Sequence, residues 1–310
     1  MPIPAPSSGP LSPGRRAVAA LATGNLLLGT LGIFVVESGQ DTVTIVFWRC
    51  LFGALALALY GRWAGWLTMR GIGRGALLLS ALTGLLMVGN WLLFTAALGR
   101  VGIAAATIVF HVQPFLVVLL GAALFREALT AARLGWVALA FAGLVAAIGP
   151  QALRPDGDAG YLVGIGCALA GAGLYAGVTL AAKRFAGVDP RMLALIQCLV
   201  GVPLLLVLEP AGPAGISAGQ WGWLAGIGLV HTGLVYALVY GALPALATPV
   251  IAVLAFLYPA SAVLLDALVY GRLIGAGQAV GLALIAIAAL GVTLGRPVAT
   301  SRSGIELEQE

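Results

Sequence analysis

His111, Gln113 and Pro114 stand within four positions of one another, in the middle of a long apolar run. Polar side chains in such a run are costly and mark function by default. Proline adds to the signal, because it removes a backbone donor and opens the helix, so that a freed carbonyl can face a cavity. An imidazole there can meet a carboxylate or an aromatic ring, or titrate near neutral pH. It can equally serve as hydrogen-bonding glue between helices. The chemistry open to this cluster is recognition of a small amphipathic solute.

Nothing else in the chain supplies a reaction. There is no histidine pair at zinc-ligand spacing, no nucleophile elbow and no phosphate-cradling glycine loop. His111 and His231 lack an acid partner, which argues against an intramembrane enzyme. Cys50, Cys167 and Cys198 each lie in apolar surroundings and read as small buried residues rather than a disulfide or zinc set. No cofactor is expected, and the lack of a nucleotide-binding domain leaves a solute, proton or voltage gradient as the energy source.

The elements that must hold these residues follow from composition. Of 310 residues, 61% are hydrophobic and only 9% charged, against about 25% charged in a soluble domain. Lipid is the natural solvent for such a surface. A bilayer core of ~30 Å takes roughly 20 residues of helix. Runs of that kind fall at about 17–36, 42–61, 75–98, 101–125, 134–151, 160–182, 191–208, 219–241, 248–271 and 275–295. The uncharged stretch 210–265 is too long for one span, and Gly241, Pro244 and Pro249 place its turn. The short link between 98 and 101 predicts an antiparallel hairpin.

Arginine and lysine give the expected orientation. With the N-terminus in the cytoplasm, twelve basic residues lie on that side and three (Arg100, Arg154, Arg272) on the other, leaving Arg49 within a span. Both termini are therefore expected in the cytoplasm. The net charge of +5 forms no basic stripe, so no nucleic-acid partner is expected. Residues 1–16 read as a disordered arm, 152–159 as an extracytoplasmic linker and 296–310 as a flexible tail.

The chain also resembles itself. Trp-Arg-Cys-Leu-Phe-Gly at 48–53 parallels Ile-Gln-Cys-Leu-Val-Gly at 196–201, and Ala97, Leu98 and Pro114 parallel Ala242, Leu243 and Pro259. Each half, 17–151 and 160–295, then carries five spans. Five is odd, so the second half enters the membrane from the opposite side, and a site is expected near the midplane between the halves. Repeat-related pairs should face one another there: Gln113 with Tyr258, Trp91 with Tyr236, Pro114 with Pro259. Asn90 adjoins Trp91, and Asn25, Tyr175 and His231 are further cavity candidates. Each of these has a plainer reading as packing or an interhelical bond. Trp63, Trp66, Trp136, Trp221 and Trp223 read as headgroup-level residues. Arg49 and Asp266, the two ionised residues inside spans, are expected near the extracellular end, pairing or rimming a vestibule. Among the 44 glycines, Gly84, Gly89, Gly171, Gly173, Gly177, Gly226 and Gly228 are expected at close helix contacts.

The run from Ala97 through Pro114 to Phe125-Arg126-Glu127-Ala128-Leu129-Thr130 and Gly135 resembles the EamA repeat of the drug/metabolite transporter superfamily, and Arg49 fits the same pattern. The resemblance covers about 17–295; Arg272 departs from it, standing where the second repeat often has Glu. It implies an all-α integral membrane protein of ten helices in two inverted five-helix repeats, in the inner membrane, exporting small organic solutes. Within the superfamily the chain is similar to YddG-type exporters of aromatic and other amino acids. The expectation is alternating access around a midplane cavity, with an amino acid as partner solute and the chain acting as a monomer. A multidrug or other metabolite transporter of the same fold remains open, as do a passive channel and, more remotely, an enzyme.

Overall fold

The computed structural model describes residues 12–67, 73–127, 129–149, 159–184, 189–208, 212–271 and 273–294. Arg70, Arg154, Arg272 and the expected linker and tail, apart from the helical Ala159, lie outside these residues, as does most of the arm. The described residues are helical throughout, with no strand among them. Among the described residues, nine helical stretches are long and apolar enough to cross a membrane, and the shorter apolar helix Pro190–Leu206 makes a tenth span.

The outside of the bundle is as apolar as its inside. Leu78, Leu162 and Leu268 are 71%, 71% and 78% exposed, a surface that lipid covers and water does not.

The first span is α1 (Pro13–Leu28) and α2 (Leu31–Ser38), broken at Gly29–Thr30. The second is α3 (Thr42–Trp63), whose first turn is capped by Asp41 accepting from the amides of Val43 and Thr44. Helical backbone then runs through α4 (Arg74–Phe110). It nevertheless reverses as the sequence predicts. The rings of Phe94 and Phe110 are 4.7 Å apart, whereas a straight helix would hold them ~24 Å apart. Ala97 and Ala106, on the two limbs, share one buried cluster with Ala168. The fourth span continues as α5 (Gln113–Phe125), and α6 (Ala131–Ile148), capped by Thr130, is the fifth.

In the second half, α7 (Ala159–Arg184) and α8 (Pro190–Leu206) are the sixth and seventh spans. The eighth runs through α9 (Ala218–Gly226), a π-helical segment (Ile227–Leu234) and α10 (Val235–Ala242), ending in a 3-10 turn at Leu243–Ala245. That turn falls where the glycine and proline cluster placed it. The ninth span is α11 (Thr248–Leu254) plus α12 (Leu257–Tyr270), and the tenth is α13 (Ala276–Leu294).

The two halves meet with reciprocal contacts. A Cβ on Gly201 would lie 2.7 Å from the Cys50 sulfur, and one on Gly53 would lie 3.5 Å from the Cys198 sulfur. Residues 50 and 198, and 53 and 201, are repeat equivalents. Contact of i with j′ and of i′ with j is the mark of a two-fold axis. It passes between α3 and α8, and in an inverted repeat it lies in the membrane plane. Cys50 and Cys198 are both fully buried, as their apolar setting predicts.

Most of the expected close glycine contacts are present. An added Cβ would reach Phe52 at 2.2 Å from Gly228, Phe34 at 2.4 Å from Gly226 and Val200 at 2.9 Å from Gly84. Gly173 and Gly177 differ, for nothing lies within 4 Å of either. Trp66 also departs from the headgroup reading. It is 7% exposed, packed under Gly61 with the Arg191 guanidinium 5.2 Å above its ring.

Candidate functional site

Both helices carrying the repeat-related prolines are broken just before them. In the fourth span the backbone turns at His111–Val112, and α5 restarts at Gln113-Pro114; in the ninth it turns at Ala255–Phe256, and α12 restarts at Leu257-Tyr258-Pro259. Proline fits the first turn of a helix, where its missing N–H has no partner to lose. The two breaks face each other. The His111 ring lies 5.7 Å from that of Phe256 and 6.1 Å from that of Tyr258.

His111 is 4% exposed, and its Nδ1 lies 2.7 Å from the carbonyl oxygen of Thr107, one turn back on its own helix. A carbonyl only accepts, so Nδ1 carries the proton. The histidine therefore satisfies its own broken helix rather than a neighbouring one.

A small cavity opens beside these breaks. It is lined by Leu21, Asn25 and Leu28 of the first span, Gln113 of the fourth, Tyr175 and Thr179 of the sixth, and Tyr236 and Tyr240 with their apolar neighbours on the eighth. Leu243 and Ile251 extend it toward the end of the bundle that carries the 184–190 and 245–248 connections. Both halves thus contribute walls. Its volume of about 40 Å³ is room for a few water molecules at ~10–15 Å³ each, too little for an aromatic side chain.

Of the sequence candidates, Asn25, Gln113, Tyr175 and Tyr236 line this cavity. Trp91 and Tyr236 do come together, through Arg49. The Arg49 Cζ lies 4.7 Å from the centroid of Trp91 and 5.5 Å from that of Tyr236. Its Nε donates to Thr232 Oγ1 at 2.8 Å and its Nη2 to the Tyr236 hydroxyl at 3.0 Å. Arg49 lies in the first half of α3, beside Cys50 at the two-fold axis, and is 8% exposed. Aromatic faces and two neutral oxygens hold it in the interior, which removes the need to reach for headgroups. Asp266 is carried on α12, but its side chain lies outside the described residues, and so does any contact with Arg49.

Asn90 and His231 sit elsewhere. The Asn90 amide donates to the carbonyl of Gly171 at 2.9 Å, tying α4 to α7. His231 Nε2 lies 2.7 Å from Thr30 Oγ1, which itself donates to the Leu27 carbonyl at 2.8 Å. The threonine therefore accepts from Nε2, and His231 braces the break in the first span. Asn90→Ala is expected to cost the detergent-solubilised protein about 0.6–1.7 kcal/mol, the range for an interhelical bond, with the KM for transport unchanged. Thermal unfolding and transport of the same preparation check this; a raised KM with unaltered melting would instead put Asn90 against the solute.

Three groups that the sequence reading passed over belong to this region. Tyr240 lines the cavity one turn after Tyr236, on the same face, a spacing that could have revealed it. Gln197, the repeat equivalent of Arg49, accepts from the Tyr240 hydroxyl at 2.7 Å and donates to Thr83 at 3.3 Å. Glu127, noted only as part of a motif, accepts from Lys183 and, on its other oxygen, from the Thr248 amide at 3.1 Å and hydroxyl at 2.7 Å. It thereby joins the first half to the sixth and ninth spans of the second. Burial pushes its carboxyl up, but the bonds from Lys183 and Thr248 outweigh burial and hold it below the ordinary carboxylate value.

Comparison with known proteins agrees with this architecture. A family model described as the EamA-like transporter family matches twice, over residues 15–149 and 162–294. The chain is 28% identical over 300 residues to "Uncharacterized transporter YxxF" of Bacillus subtilis (strain 168), covering 94% of this chain and 95% of that protein. A crystal structure aligns with a TM-score of 0.77 at 22% identity, covering 90% of this chain and 98% of its own, a likeness of fold. Two matched repeats, ten spans and a cavity between the halves lead to one assignment: the chain belongs to the EamA-like transporter family of the drug/metabolite transporter superfamily.

Proposed function

We propose that this protein exports amino acids, aromatic and other apolar ones, by alternating access of its two halves to the central cavity. The observation that carries the reading is the cavity wall itself. Three tyrosines and the amides of Asn25 and Gln113 converge between the halves. Flat amphipathic rings beside a few fixed polar groups suit a solute with an apolar side chain and a polar end. The breaks at Pro114 and Pro259 give each half a point at which its fourth helix can bend. The basic-residue bias puts both termini in the cytoplasm of an inner membrane, with 17–151 and 160–295 as the moving repeats.

A multidrug reading fits less well, because drugs of that class are commonly cationic and the interior holds the fixed positive charge of Arg49. The test is counterflow in proteoliposomes preloaded with unlabelled phenylalanine, tryptophan or leucine. Saturable accumulation of the labelled amino acid is expected. Leak without saturation would indicate a channel, and no accumulation with any amino acid would overturn the substrate reading.

A further inference from the structure

We propose that Arg49 anchors the carboxylate of the transported solute, with Thr232 and Tyr236 holding the guanidinium until a carboxylate takes their place. The inference rests on the amino-acid reading above and adds the group that selects the solute. It begins from a charge that packing does not require. Residue 197, related to 49 by the repeat, is glutamine, and it is satisfied by neutral partners, the Tyr240 hydroxyl and Thr83. A neutral amide therefore serves the same position in the other half. At 49 the chain instead keeps a cation, 8% exposed and beside the two-fold axis, where a charge is costly to insert.

Among the described residues, only neutral partners meet that charge. Its acceptors among the described residues are two hydroxyls, at 2.8 Å and 3.0 Å, and no carboxylate among those residues lies within ion-pair distance. Among the described residues, two of the five guanidinium donors find acceptors, and a ligand could take the others. The rings of Trp91 and Tyr236 flank the guanidinium and keep it from turning toward lipid. Tyr236 is also a cavity wall, so the Arg49–Tyr236 bond is the step between the cavity and the charge.

A carboxylate entering past Tyr236 would meet a fork whose geometry it matches with two parallel bonds. The solute class that follows is a carboxylate bearing an apolar group, zwitterionic or anionic, and not a cation. The aromatic walls take the apolar part. An amine without a carboxylate would meet only the repulsion of Arg49.

The test compares inhibitors of phenylalanine counterflow by the wild-type protein: phenylalanine itself, its carboxamide and phenethylamine. The free acid is expected to inhibit at least tenfold more strongly than either analogue. In Arg49→Gln, which places at 49 the side chain already accommodated at 197, that preference is expected to vanish. Arg49→Lys keeps the charge without the fork and is expected to retain the preference at lower affinity. Counterflow with acid and amide inhibiting equally in the wild type would overturn the anchor while leaving amino-acid transport standing. Absence of saturable counterflow for every amino acid would overturn the transport reading and the anchor with it.

Discussion

Replacing Glu127 with alanine is expected to open the cavity from the end of the bundle that carries the 125–131, 184–190 and 245–248 connections. One carboxylate there holds three spans from both halves. Its Oε1 takes Lys183 at the end of α7, and its Oε2 takes the amide and hydroxyl of Thr248 at the start of α11. The side chains of Lys183 and Glu127 are 11% and 19% exposed, so loss of the acid leaves a cation and an amide short of acceptors in poorly hydrated surroundings. Bonds to charged groups of this kind contribute about 2 kcal/mol net. If the bonds form only while this end is closed, their removal shifts the open-to-closed ratio roughly 30-fold. Ile251, one turn into α11, lines the cavity and is 5% exposed. In protein whose native cysteines are replaced, maleimide labelling of Ile251→Cys in nanodiscs is expected to quicken by about that factor when Glu127→Ala is added. Equal rates would show that this end stays shut without the latch.

The sign of any pH effect follows from the same contacts. The Glu127 carboxyl is held below its ordinary value, so the latch is fully present above the ordinary carboxylate range of about 4.3. It is lost only as pH falls through the lowered value. Between about pH 5 and pH 8, titration of Glu127 should leave the labelling rate unchanged.

The second large effect concerns the paired breaks. Pro114 and Pro259 each follow a turn that divides a span, and the turns are joined by the rings of His111, Phe256 and Tyr258. Alanine at both positions supplies the two backbone donors that a continuous helix through the break would need, and lacks the ring that would clash with it. Alanine also exceeds proline in helix propensity by about 3 kcal/mol at interior positions. The double variant is expected to melt at the same or a higher temperature and to transport at least tenfold more slowly, because straightened helices bend less readily about the cavity. Transport at the wild-type rate, with the helices shown to be healed, would remove the breaks from the mechanism. A lower melting temperature would show that the prolines act in packing instead.

What could be read in advance divides along physical lines. Span positions were legible, since lipid thickness imposes one length and the ends are marked by charge, glycine or proline; Gly241 and Pro244 marked the eighth turn, and the short link after Leu98 marked the hairpin. The repeat was legible because like residues recur in order in both halves, and those recurring residues make reciprocal contacts: Cys50 with Gly201, and Cys198 with Gly53. The break at Gly29–Thr30 was not, because it is braced by His231, 201 residues away. The same holds for Glu127, whose bond to Thr248 spans 121 positions. The partners of Arg49 were not legible either, because Thr232, Tyr236 and Trp91 are brought to it only by folding. Asn90 had the residue type of a cavity group, but its contact with Gly171 makes it a tie between helices.

Photolabelling of the purified protein with a diazirine analogue of phenylalanine measures most directly whether solute occupies the space between the halves. The expected cross-links fall on the first span at 21–28, the sixth at 175–179 and the eighth at 235–243, and excess unlabelled phenylalanine suppresses them. Cross-links confined to other spans, or untouched by the competitor, would contradict a binding site at the meeting of the two repeats.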